Sequence, residues 1–141
     1  MRHAMLLMFL LDGCSAAHVT DSFAGTYETT ITGVREDGAS REESRLATCV
    51  LAGDTTVCPV NAECVAVFRP QGAGRYSIDA GACAARGATA TVLWRWTPGE
   101  ALAFDGVLDY ELHGEVQIEH DDPELALEVH TLDYYVQGAR R

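Results

Sequence analysis

The sequence predicts an all-β fold, an antiparallel barrel or a β-sandwich stapled by two disulfides. After residue 22, runs rich in Thr, Val, Ile, Tyr and Trp are separated by short stretches of Gly, Pro, Asp and Asn, a pattern typical of strands joined by turns. The clearest run is 106–120, in which apolar and polar residues alternate throughout, as a strand with one solvated face requires. Four of the five cysteines lie beyond residue 22, which suits two disulfides in an exported protein.

The same patterns place the elements along the chain. Strands are predicted over 23–35, 46–51, 55–60, 63–69, 75–79, 88–96, 106–120 and 124–137. The stretch 36–44 (EDGASREES) is polar and charged and is predicted to be a loop. The stretch 80–87 consists mostly of small residues and is predicted to be irregular. We expect residues 23–141 to form a single β domain, because the whole chain has one-domain length.

The charge of the chain excludes several classes of function. The formal net charge is −11, which argues against a nucleic-acid partner and against electrostatic docking on anionic lipid. All ten basic residues are arginine. A Schiff-base or P-loop lysine is therefore excluded.

The first residues have the features of an export signal. Arg2 precedes the apolar run 4–11, which is far shorter than the roughly 20 residues that a membrane-spanning helix needs. The residues Leu11-Asp12-Gly13-Cys14 resemble the lipobox of bacterial lipoproteins, although Asp12 stands where that family has a small or apolar residue. The resemblance implies that residues 1–13 are removed, that Cys14 is lipidated and that residues 14–22 form a short tether.

The location follows from the same resemblance. Ser15 follows the cysteine, and in bacterial lipoproteins an aspartate there is the usual signal for retention in the inner membrane. The resemblance therefore implies the outer membrane. Two alternatives stay open: cleavage after Ser15-Ala16-Ala17, which gives a soluble secreted or periplasmic protein, and a buried first strand over 5–11.

The cysteine count supports export. Without Cys14, four cysteines remain, an even number that two disulfides satisfy. Counting outward from the hairpin signal Gly53-Asp54 puts Cys49 directly opposite Cys58, within disulfide range. Cys64 with Cys83 follows by elimination. A zinc site is the alternative, but the spacing contains no CxxC pair.

One constellation predicts a metal site. If Asp121-Asp122 forms the loop between the last two strands, Ile118 faces Leu125, His113 faces His130 and Glu115 faces Glu128. Two imidazoles and two carboxylates on one exposed face suit zinc or another first-row divalent ion. The alternative is an acidic solvated face, and no other cofactor is indicated. The sequence identifies no catalytic residue.

A second constellation predicts a ligand cavity. Trp94 and Trp96 are two residues apart and share one strand face, so they line a cavity or simply belong to the core. The stretch Phe23-Ala24-Gly25-Thr26-Tyr27 is similar to the Gly-x-Trp start of lipocalins, with Tyr in place of Trp. That resemblance implies an exported eight-stranded barrel.

Two hypotheses of function follow. The first is a lipid-anchored envelope protein, non-enzymatic, that binds a protein or a small apolar ligand. The second is a divalent-metal-binding protein or metal-dependent hydrolase that uses His113, Glu115, Glu128 and His130.

Overall fold

The computed structural model describes residues 22–141. The predicted signal peptide, Cys14 and residues 14–21 of the predicted tether lie outside the described residues. Residues 22–141 contain no helix and form ten strands. The strands are β1 (Gly25–Arg35), β2 (Ser40–Ala52), β3 (Thr55–Pro59), β4 (Val65–Gly72), β5 (Arg75–Ile78), β6 (Gly81–Arg86), β7 (Ala90–Trp96), β8 (Gly99–Phe104), β9 (Val107–His120) and β10 (Glu128–Arg140).

Eight of these strands pair in a closed circuit, in the order β1-β2-β3-β4-β5-β8-β9-β10 and back to β1. Every pairing is antiparallel, so the predicted all-β antiparallel fold is confirmed. One edge of β9 pairs with β10, and its other edge pairs first with β8 and then with β7. The hairpin β6–β7 therefore extends the sheet beside the circuit, and the strand order departs from a simple up-and-down meander.

The inner face of the circuit is filled by side chains. Because successive residues of a strand point to opposite faces, one residue in two along each strand enters the core, as Tyr27 and Ile31 do on β1. Phe68 is fully buried, and edge-to-face ring contacts join it to Phe23 and Tyr110 at centroid distances of 5.2 and 5.1 Å. Burial without a charged partner raises the pKa of the Tyr110 phenol well above its usual value.

Both predicted disulfides are present. The two-residue turn at Gly53 and Asp54 sets the register Val50 opposite Val57, and Cys49 and Cys58 come next, with a Cα–Cα distance of 4.3 Å. The bond Cys64–Cys83 ties the loop before β4 to β6. The elimination argument from four cysteines was therefore correct.

The circuit has two distinct ends. We call the end where β1 begins the base; the turns 53–54, 73–74 and 105–106 lie there. We call the other end the mouth; it carries the connections 36–39, 60–64, 87–89 and 121–127. At the mouth, the order of the paired strands is β2-β1-β10-β9-β7-β6. The loop 60–64 lies beside the space that separates β2 from β6.

Two predicted loops are wrong. Residues 40–44 belong to β2, which pairs with β1 as far as Val34 opposite Ser40, so long-range pairing overrides a polar local sequence. Residues 81–86 form the edge strand β6. Gly81 is required there because a Cβ at that position would lie 2.1 Å from the Trp96 ring, which covers the backbone.

The predicted register of the last hairpin is also wrong. Ile118 pairs with Glu128 instead of Leu125, a shift of three residues. The connection is longer than predicted, because the Leu125 amide bonds the Asp122 carbonyl and keeps the chain in a turn. An odd shift moves every side chain to the opposite face. Leu125, Leu127 and Val129 are consequently about half exposed.

Candidate functional site

The structure does not bring the four predicted metal ligands together. His113 and Glu115 lie on the outer face of β9, whereas Glu128 and His130 lie on the inner face of β10, opposite Ile118 and Val116. The cause is the three-residue register shift. Within residues 22–141, no group of three or more His, Cys, Asp or Glu side chains is arranged to hold a metal ion.

His113 pairs instead with Asp133, with 2.7 Å between Nδ1 and Oδ1. This hydrogen bond is the main cause that raises the pKa of His113, and Glu111 adds a smaller effect. A pKa that is higher in the folded than in the unfolded state stabilises the fold below the unfolded pKa, and that gain is lost as pH rises through the folded pKa.

The substitution Asp133→Asn should therefore lower the pKa of His113 and destabilise the protein in mild acid but not in alkali. NMR titration of the imidazole measures the first effect. Denaturant unfolding at about pH 5.5 and about pH 9, on either side of the usual histidine range, measures the second. An equal loss of unfolding free energy at both pH values would contradict a charge-dependent pair.

Trp94 and Trp96 belong to the core and do not line an enclosed cavity together. Both are at most 5% exposed, and the Trp96 indole donates a hydrogen bond to the Asp79 carbonyl at 3.0 Å. Trp94 packs against Tyr134, with 4.4 Å between ring centroids. Trp94 also reaches a recess of 180 Å³ beside the Cys64–Cys83 bond, which Trp96 does not line.

Sequence reasoning missed a cleft in the mouth that has a volume of 370 Å³. It lies between β1, β2 and β10, and its size falls within the usual range for small-molecule sites. Apart from Ser40, which pairs with the outward residue Val34, its strand residues come from inward-facing positions. The residues that line this mouth cleft are Ile31, Gly33, Arg35, Ala39, Ser40, Arg41, Glu43, Leu132 and Tyr134.

The charges in the mouth cleft follow from an inverted pattern on β2. Because Cys49 faces inward to meet Cys58, every second residue before it also faces inward, including Arg45, Glu43 and Arg41. The alternate residues face outward, so Leu46 and Val50 are 54% and 52% exposed. β2 therefore exposes apolar residues and turns charged residues toward the mouth cleft. The pattern of an outward Leu46 and inward arginines would have indicated this charged cleft if residues 40–44 had been assigned to a strand.

The arginines of this region differ in their partners. Arg45 forms an ion pair with Glu43. Arg35 pairs with Asp37 at 3.0 Å, but its Nε is buried and has no hydrogen-bond partner. Arg41 takes part in no ion pair within residues 22–141. The lining of the mouth cleft therefore contains two arginines and one carboxylate, in a chain whose formal net charge is −11.

A histidine network ties the β1–β2 turn to β10 beside the cleft. The His130 ring lies 3.2 Å from Arg35 Nη2 and 3.0 Å from Glu36 Oε1. This contact lowers the pKa of Glu36. His120 lies 2.7 Å from Glu128 and lowers the pKa of that carboxyl in the same way. The network holds Arg35 at the mouth, where Arg35 lines the cleft.

A second depression, of 770 Å³, lies along β5, β8 and β9. Its charged residues are Arg75, Glu100, Asp109, Glu111 and His113. Its lining is acidic, in keeping with the rest of the chain. Unlike the mouth cleft, it does not depart from the overall charge of the protein.

The chain matches no family model, no curated protein and no solved structure. Residues 22–141 also include no helix that is long and apolar enough to cross a membrane.

Proposed function

We propose that this protein is exported, anchored to the bacterial outer membrane through a lipid on Cys14, and acts as a non-enzymatic binding module. The observation that carries the binding role is the mouth cleft. The remainder of the inner face is filled by aromatic and aliphatic side chains, whereas this end is left open and charged. Concave sites with an apolar lining and a few polar groups are the usual form of small-molecule sites.

The geometry of the two ends supports the anchored arrangement. The chain enters the fold at the base, where Gly25 pairs with Cys49. The cleft opens at the mouth, beyond the last β1 residue, Arg35. An anchor that precedes β1 would hold the base toward the membrane and leave the mouth accessible. The two disulfides fit an oxidising compartment.

A protein partner is the second candidate. The tip of the β9–β10 connection exposes Leu125 and Leu127, which are 54% and 57% exposed, with Val129 at 48% beside them. Single exposed apolar residues are ordinary, but residues 125–129 are all exposed and three of them are large and apolar. A cluster of exposed apolar residues is typical of a contact surface. The metal-dependent hypothesis has no comparable support, because its four residues lie on two faces.

The anchor is tested by the intact mass of protein taken from the membrane fraction of its host. We expect a chain that begins at Cys14, carries added acyl mass and gains the hydrogens of two disulfides on reduction. The variant Cys14→Ser should carry no acyl mass, and its mature form should be absent from the membrane fraction. An unmodified chain that begins at His18 would replace the anchor by secretion. An uncut chain with free thiols would overturn export.

A further inference from the structure

We infer that the mouth cleft recognises a small organic anion, a carboxylate or sulfonate attached to an apolar body. This inference rests on the proposed binding role and specifies its ligand. The cleft combines an apolar floor with Arg41, whose guanidinium forms no ion pair within the described chain, and a ligand with one charged end and one apolar end complements both.

The floor of the cleft is apolar. Ile31 is 5% exposed, and Leu132 and Tyr134 pack beside it from β10. Gly33 leaves room above them, since a Cβ there would approach only Leu132 and Tyr134, at 3.6 Å or more. Burying a hydrocarbon or aromatic body on this floor removes apolar surface from water on both sides.

The anion is favoured by the arginines around this floor. Glu43 is the only carboxylate that lines the cleft, and Arg45 pairs with it. Arg41 has no ion pair, and the buried Nε of Arg35 has no acceptor within the described chain. A guanidinium binds a carboxylate or sulfonate through short, charge-assisted hydrogen bonds. An anion in the cleft would therefore receive the donors of Arg41, which form no ion pair within the described chain.

The same residues disfavour the other ligand classes. A cation would meet Arg35 and Arg41, and the nearby carboxylates are already engaged, Glu43 by Arg45 and Asp37 by Arg35. A neutral apolar ligand would bury the guanidinium groups without supplying an acceptor, and that desolvation opposes binding. A negative ligand is repelled by most of a chain of formal net charge −11, so affinity for an anion marks this cleft in particular.

The test uses three probes of matched length: octanoate, octanol and octylammonium. Equilibrium dialysis of the purified mature protein measures each affinity. Because the anchored protein is held in lipid, which itself takes up the probes, lipid without protein serves as the blank. We expect saturable binding of octanoate, with octanol and octylammonium at least about tenfold weaker, the ratio expected for one charge-assisted bond. Equal binding of octanol and octanoate would overturn the anion specificity and leave a small-molecule site in place. Binding of none of the three would overturn the binding role of the cleft itself.

Variants locate the site. Arg41→Gln should weaken octanoate about tenfold and leave octanol unchanged. The control is Arg95→Gln, because Arg95 lies opposite Glu115 on the outer face of β7 and lines neither the mouth cleft nor the recess at Trp94. Leu132→Ala should weaken octanoate and octanol alike. Circular dichroism checks the fold of each variant. Arg41→Lys retains the charge, and we expect its affinity for octanoate to lie between those of the unchanged protein and Arg41→Gln. Equal loss in Arg41→Gln and Arg95→Gln would contradict a site at the mouth.

Discussion

Replacing Gly114 with alanine is expected to destabilise the protein by about 3 kcal/mol, the upper range for forcing an atom into a packed interior. A Cβ at Gly114 would lie 2.0 Å from the Arg95 carbonyl oxygen and 3.0 Å from the carbonyl carbon. Both are backbone atoms of the neighbouring strand, so no side-chain rotation relieves the clash. β7 would have to move away from β9.

The position explains why the approach is so close. Gly114 pairs with Trp96, the last residue of β7, while β8 pairs with β9 only over the stretch before it. β9 therefore changes its partner strand at this point. Gly114→Ala should also disturb the mouth, because Trp94 and the cleft residue Tyr134 pack against each other beside this junction.

The measurement is the free energy of unfolding in denaturant, with Gly33→Ala as the matched control. Gly33 also lies on an inner face, but a Cβ there would meet nothing nearer than 3.6 Å, an ordinary contact. We expect Gly33→Ala to change stability by about 0.5 kcal/mol at most. Equal losses in the two variants would refute the role of the close approach at Gly114.

The sequence predicted those elements whose register is set locally. The turn at Gly53 and Asp54 fixes its two strands within a few residues, so Cys49 and Cys58 could be paired by counting. The alternation along 107–120 is a property of one segment and needs no partner to be recognised. Both are short-range features, and both were read correctly.

The last hairpin could not be predicted in the same way. Its connection spans 121–127, and two apolar stripes compete for the core. Leu125, Leu127 and Val129 form one stripe, and Leu132, Tyr134 and Val136 form the other. The second is selected because Val136 and Tyr134 pack against Tyr110 and Leu112, which the circuit has already placed inside. That choice depends on contacts across the whole circuit.

The mouth cleft was missed for a related reason. Charged residues at 40–44 have a local preference for a loop, and only pairing with β1 makes them a strand. Once they form a strand, the inward position of Cys49 fixes which charges face inward. The predicted disulfide therefore implies that Arg41 faces inward, because residues an even number of positions apart on one strand share a face. This holds only when 41–49 form a single strand, and the polar local sequence does not indicate one.

Removing the bond Cys64–Cys83 is expected to lower the free energy of unfolding by about 3 kcal/mol, the loss that loop-closure entropy predicts for a loop of this length. The bond joins residues 19 apart. The variant is Cys64→Ala with Cys83→Ala, compared in denaturant with the unchanged protein. The matched control is Cys49→Ala with Cys58→Ala, for which a similar global loss is expected.

The two variants should differ in where the fold opens. Cys49 and Cys58 sit on strands that pair with neighbours on both sides, so their region keeps its hydrogen bonds when the bond is lost. β6 is an edge strand of Gly, Ala and Arg around Cys83, and it pairs only with β7. Without the bond to Cys64, little side-chain burial remains to hold β6 in place.

Hydrogen exchange of the β6 amides should therefore become fast in the Cys64/Cys83 variant alone, under conditions in which the rest of the sheet stays protected. Unchanged protection of β6 would mean that Trp96, which covers Gly81, suffices to hold the edge. Fast exchange throughout the sheet would instead show that the bond stabilises the circuit as a whole.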